Sequence, residues 1–219
     1  GMAWTNILSR KLDRTVLNFG FSGSGQMDAE IIEALARTDA RLYILDCIPN
    51  LIGFDDSVFT ARYTDGIERL RSRTDAPILL VEDVGGGEGF AYPASVRKNE
   101  LLKACYRKLT EQGVEGLHYL SCEEIGMPED GTVDGIHLTD LGMKALAEAH
   151  ERKIRAILHE TDGRESTTRA VTQRREYPGY EWLDRHEALE TLNRRQPPRN
   201  VMLGNSITHY WGGSNGRYP

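Results

Sequence analysis

The chain has 219 residues, 39% hydrophobic and 27% charged, which suffices for one α/β domain with an appendage. A formal net charge of −6 argues against nucleic acid as a partner, and the small basic clusters Arg174–Arg175 and Arg194–Arg195 stand among acidic residues. No stretch is apolar over the length a membrane-spanning helix needs, and Cys47, Cys105 and Cys122 lie apart with neither C-x-x-C spacing nor a disulfide framework.

Trp4, Ile7, Leu8 and Leu12 recur at helical spacing within Ala3–Leu12. "TVLNF" (Thr15–Phe19) is a short β-branched and aromatic run, so a buried strand is expected. "GFSGSGQ" (Gly20–Gln26) is a loop, and Asp28–Ala36 a helix with Asp28 as N-cap. "RLYILDCI" (Arg41–Ile48) is a strand, with Cys47 expected as a core thiol. Phe59–Arg71 is helical, with Phe59, Tyr63, Ile67 and Leu70 on one face. "PILLVED" (Pro77–Asp83) is a strand, and "GGGEGFAYP" (Gly85–Pro93) a mobile lid carrying Phe90 and Tyr92. Ser95–Gln112 is a helix and "GLHYL" (Gly116–Leu120) a strand. Thr139–Leu158 is a helix with Leu141, Ala145, Leu146, Ala149 and Ile157 inward.

Strands alternating with helices imply a parallel sheet covered on both faces, with ligands at the carboxyl ends of the strands. After Leu158 the pattern changes. His159–Gly179 reads as a polar linker. Tyr180–Arg194 reads as a helix, and "NVMLGNS" (Asn200–Ser206) as a strand running into a turn. The expected division is 1–158, 159–179 and 180–219.

At "LGNSIT" (Leu203–Thr208) a serine stands at the end of a strand and the start of a helix. There, nearby N–H groups can hold developing negative charge. "VDGIHLTDLG" (Val133–Gly142) places Asp134 and His137 three apart, just before the last helix of the first segment. "GGGEG" lacks the Gly-Lys-Ser/Thr ending of a phosphate loop. "HERKI" (His150–Ile154) has Ile154 where a zinc helix needs a second histidine. "GFSGSG" with Asp46 fits a dinucleotide loop only loosely. No cofactor or metal site is expected.

Together these motifs resemble the SGNH (GDSL-type) hydrolases. "GNSIT" is similar to their first motif, "NFGFSGSG" to the second, "LDCIPNL" to the third and "DGIHLTDLG" to the fifth. The resemblance covers Ala3–His150 and Tyr180–Trp211. It implies a three-layer α/β/α, flavodoxin-like, doubly wound parallel sheet. By analogy Ser206 is the nucleophile, His137 the general base, and Asp134 the residue that orients it. Gly23 and Asn50 then supply the oxyanion hole with the Ser206 N–H.

Three departures stand out. Ile48 replaces the glycine of the third motif, Asn205 replaces aspartate in the first, and Ser206 comes last where the family has it first. The reversed order implies a fragment of a tandem-domain member. The core then lacks its usual first strand, and Asn200–Gly204 is expected to fill that slot, from the same chain or by strand exchange between two chains. The resemblance further implies a small acyl ester as substrate, with acetyl on carbohydrate the candidate, and a secreted or periplasmic setting. A rival expectation is a truncated module that binds without turnover.

Overall fold

The protein is described by a computed structural model, which defines residues 1–20, 22–86, 93–160 and residue 191. Its contacts divide the chain into two units, 1–162 and 163–219. The polar linker, the Tyr180–Arg194 helix and the Asn200–Gly204 strand lie essentially outside the described residues.

The first unit is a parallel sheet between two helical layers. β1 (Tyr43–Leu45), β2 (Ile78–Val81) and β3 (Leu117–Leu120) pair in the order β1-β2-β3. The register sets Tyr43 beside Ile78 and Ile78 beside Leu117. Side chains alternate across the sheet. Tyr43, Leu45, Ile78, Leu80 and Leu117 therefore enter one core cluster, while Leu79, Val81 and Leu120 enter the other.

The first face is covered by α2 (Ala29–Leu35), α4 (Asp56–Arg71) and α5 (Pro93–Glu111). The predicted stripe on α4 holds: Phe59, Tyr63, Ile67 and Leu70 are fully buried, each worth about 2 kcal/mol of apolar transfer. The second face takes α1 (Trp4–Leu12), the short α6 (Cys122–Ile125) and α7 (Asp140–Ile157). Trp4 stacks on the buried ring of His150 at 4.4 Å between centroids. Arg155 donates to the Lys11 carbonyl at 2.9 Å, tying the end of α1 to α7.

Four expectations need correction. Leu141 is 48% exposed, because the inward stripe of α7 runs through Gly142, Leu146, Ala149 and Ile154. Cys47 is only partly buried, at the core's edge. Gly85, expected in a lid, sits in a 3-10 turn, Val84–Gly86, packed under another loop; residues 87–92 are outside the described set. Thr15–Phe19 forms no strand, and Leu17 and Phe19 are 60% and 40% exposed. In the flavodoxin-like order the second strand pairs only with the first. Among the described residues no such partner stands on the free edge of β1. A run without a ladder keeps its N–H and C=O groups with water.

Candidate active site

All three strands point the same way, so the loops after β1, β2 and β3 share one end of the sheet. The loop after β3 is closed by its own bonds. Thr132 and Leu138 form an antiparallel bridge, and Val133 N donates to His137 O at 2.8 Å. Gly135, at φ 86°, reverses the chain between them, a backbone angle that side chains disfavour. Thr139 caps α7, its Oγ1 accepting from Gly142 N at 3.2 Å. A Cβ on Gly142 would collide with the Gly131 carbonyl, so the helix start and the turn close on each other only through glycine.

This turn fixes Asp134 and His137. Asp134 Oδ1 accepts from the N–H of His137 at 2.7 Å and of Ile136 at 3.0 Å. Its Oδ2 meets His137 Nδ1 at 2.6 Å. These donors, the His137 backbone N–H foremost, hold the Asp134 carboxyl down at about 2. Facing a carboxylate, Nδ1 carries the ring proton, and Nε2 of the neutral imidazole keeps its lone pair. The His137 side chain is 77% exposed, so that lone pair is open to solvent and ligand.

The other two motifs meet in one contact. Asn50 is the third residue of the short helix α3 (Ile48–Leu51) that follows β1. Its Oδ1 accepts from Gly25 N at 2.9 Å. An N–H donor selects the amide oxygen, so Nδ2 is turned away as a donor with no partner among the described residues. Gly23 takes φ 67°, and its carbonyl accepts from Gln26 Nε2 at 3.2 Å. Arg62 on α4 pins the segment, donating to Gln26 O at 2.6 Å and Asp28 Oδ1 at 2.7 Å. Asp28 thus stands at the N-cap of α2 with its side chain spent on Arg62.

The structure brings Asp134 to His137, and Asn50 to the loop that holds Gly23. Ser206 lies outside the described residues. Sequence reasoning missed the polar groups beneath these loops. Asp46 directly follows β1, and burial, then the charge of Asp83, push its carboxyl up to about 7. Burial and Asp46 together push the Cys47 thiol up to about 12. Asp83, Ser95 and Asn99 are all buried around the end of β2. The available signal was an aspartate closing two successive apolar strands, "LYILD" and "ILLVED".

Fold and site define the class as α/β proteins with a parallel sheet and an Asp-His pair in the loop after its last described strand. The chain belongs to the GDSL-like lipase/acylhydrolase family, whose model matches residues 1–155. No curated protein matches the sequence. Among solved structures, it is similar to a salicylyl-acyltransferase, SsfX3, from a tetracycline biosynthetic pathway. That match has 18% identity and a TM-score of 0.60, and covers 70% of this chain and 48% of the other. At that identity the likeness shows the fold, and the chain spans about half the length of its neighbour.

Proposed function

We propose that this chain is a serine ester hydrolase for small acyl groups, with acetyl esters of carbohydrate as the candidate substrate. The observation that carries the reading is the 2.6 Å contact of Asp134 with His137 Nδ1, which leaves Nε2 exposed as a base. In this reading Ser206 Oγ attacks the ester carbonyl carbon and gives its proton to Nε2. Asp134 keeps the tautomer and stabilises the imidazolium. The carbonyl oxygen becomes an oxyanion, held by the N–H groups of Gly23 and Ser206 and by Asn50 Nδ2. The imidazolium then protonates the leaving alcohol, and the same base activates water to cleave the acyl-serine. The segment carrying Ser206 comes from the same chain or from a second copy.

The structural neighbour is an acyltransferase, but the exposure of His137 favours water as acceptor. Transfer to another alcohol requires that water be kept out. The test is hydrolysis of p-nitrophenyl acetate. Ser206→Ala and His137→Ala should each lower kcat on the order of 10⁴-fold. Asn50→Ala should lower it about 10²–10³-fold. Ser24→Ala should leave it unchanged. Equal rates for wild type and Ser206→Ala would replace this reading with a module that binds without turnover.

A further inference from the structure

The turn that carries Asp134 and His137 rests on the end of β2 at one point. A Cβ placed on Gly85 would lie 2.9 Å from Gly135 O, 3.1 Å from Ser95 Oγ and 3.2 Å from Asp83 Oδ2. Three oxygens, from the turn, from α5 and from the end of β2, therefore converge beside a single glycine. Gly135 stands between Asp134 and His137 in the chain, so whatever holds its carbonyl holds the pair.

Two of these oxygens are buried without a hydrogen-bond partner among the described residues. Ser95 and Asp83 are 0% and 3% exposed, and Ser95 Oγ and Asp83 Oδ2 are both unpartnered. The remainder of Asp83 is tightly held. Its Oδ1 accepts from Gly85 N at 3.3 Å, its N–H donates to Asn99 Oδ1 at 2.8 Å, and its C=O accepts from Asn99 Nδ2 at 2.9 Å. Oδ2 is thus aimed by a fixed backbone. Buried polar atoms are almost always satisfied, by protein or by ordered water. The chemistry here matches one water: it donates to Asp83 Oδ2 and Gly135 O, and accepts from the Ser95 hydroxyl.

We propose that Asp83, Ser95 and the Gly135 carbonyl hold one buried water, through which Asp83 and Ser95 act as positioning residues for the Asp134–His137 turn. The effect on turnover rests on the hydrolase reading above; the water and the turn's geometry do not. A high-resolution crystal structure of the full chain should show a water within hydrogen-bond distance of all three oxygens. Solvent-free density there, or three oxygens partnered elsewhere, overturns the proposal.

The second arm uses Ser95→Ala. At a pH where the imidazole is neutral, ring-nitrogen shifts of His137 should report the Nδ1–H tautomer in wild type. In Ser95→Ala they should move toward a mixture with the Nε2–H form, while Ser95→Thr, which keeps the hydroxyl, should retain the wild-type shifts. With p-nitrophenyl acetate, kcat should fall about tenfold with KM unchanged. Unchanged shifts in a folded Ser95→Ala overturn the positioning role even if the protein is less stable. Asp83→Asn, which preserves shape, replaces Ser95→Ala if that variant does not fold. An inert wild type would end the hydrolase reading alone, because the water and the ring shifts need no turnover.

Discussion

The two halves of the candidate site are held in different ways. The Asp134–His137 turn is closed from within: the donors to Asp134 are its own neighbours, and Thr139 and Gly142 lock it to the first turn of α7. The second-motif run, Thr15–Gln26, has few such bonds at its start. Asn18 makes a local turn with Gly20 N at 2.8 Å and reaches Thr5 Oγ1 at 3.3 Å, while Leu17 and Phe19 face solvent. A motif closed by sequence-local bonds forms whatever the sheet does beside it. A strand needs a neighbour for its ladder, and without one its residues adopt local turns instead.

The largest stability effect should come from the locked half. Gly142→Ala drives a Cβ into the Gly131 carbonyl, so the turn and the helix start must part. Urea unfolding should show a loss of about 3 kcal/mol, the scale of a backbone clash with lost caps. A loss under about 1 kcal/mol would show that the turn yields easily, and would bring the two halves closer in character.

Each half also carries one shifted titrating group, Asp46 partly buried and His150 fully buried, and the two act in opposite senses. Asp46, just before the third-motif helix, is raised from 3.8 to about 7, chiefly by burial and next by Asp83. Its folded state binds the extra proton, so its contribution is full below 3.8 and is lost as pH rises toward 7. His150, on the helix that continues the turn, is lowered from 6.5 to about 4 by burial. Its contribution is full above 6.5 and is lost as pH falls toward 4. Between these limits the two slopes, each about 1.4 kcal/mol per pH unit, nearly cancel. Asp46→Asn should therefore make stability rise with pH across this window, by about 3 kcal/mol in total. His150→Phe should make it fall. Parallel urea titrations at several pH values read both slopes; a flat profile in Asp46→Asn would remove His150 from the account, and a flat profile in His150→Phe would remove Asp46.

What the sequence showed and hid follows the same division. Helix faces repeat every few residues, so the α4 stripe, the α7 start at Thr139 and the Asp134–His137 turn were all legible. The apolar runs ending in Leu45, Val81 and Leu120 read as strands because helices packed on both sides demand it. Thr15–Phe19 had the same composition and failed, since composition cannot say whether a neighbouring strand is present. The meeting of Gly85, Ser95, Asp83 and Gly135 was hidden for a related reason. It joins three separate elements, and nothing in "GGGEG" distinguishes a glycine required by a crossing carbonyl from one that serves a flexible loop.

Smaller effects should mark the open half. Gly23 lies at φ 67° with free space where a Cβ would go. Gly23→Ala meets only the backbone penalty, about 1 kcal/mol, and thermal unfolding should move by a few degrees. A much greater shift would mean that something packs on Gly23 in solution.

Leu17→Ser should have the least effect of all. At 60% exposure Leu17 gives up little buried area, and the expected cost in urea is under about 0.5 kcal/mol. The substitution is informative because of what a large cost would require. Losing about 2 kcal/mol demands a leucine enclosed on most sides. For Thr15–Phe19 that means a paired strand, and no partner strand stands beside the run among the described residues. On the proposed reading, Asn200–Gly204 would be that partner. The cost of one exposed leucine therefore reports whether Thr15–Phe19 is paired in solution.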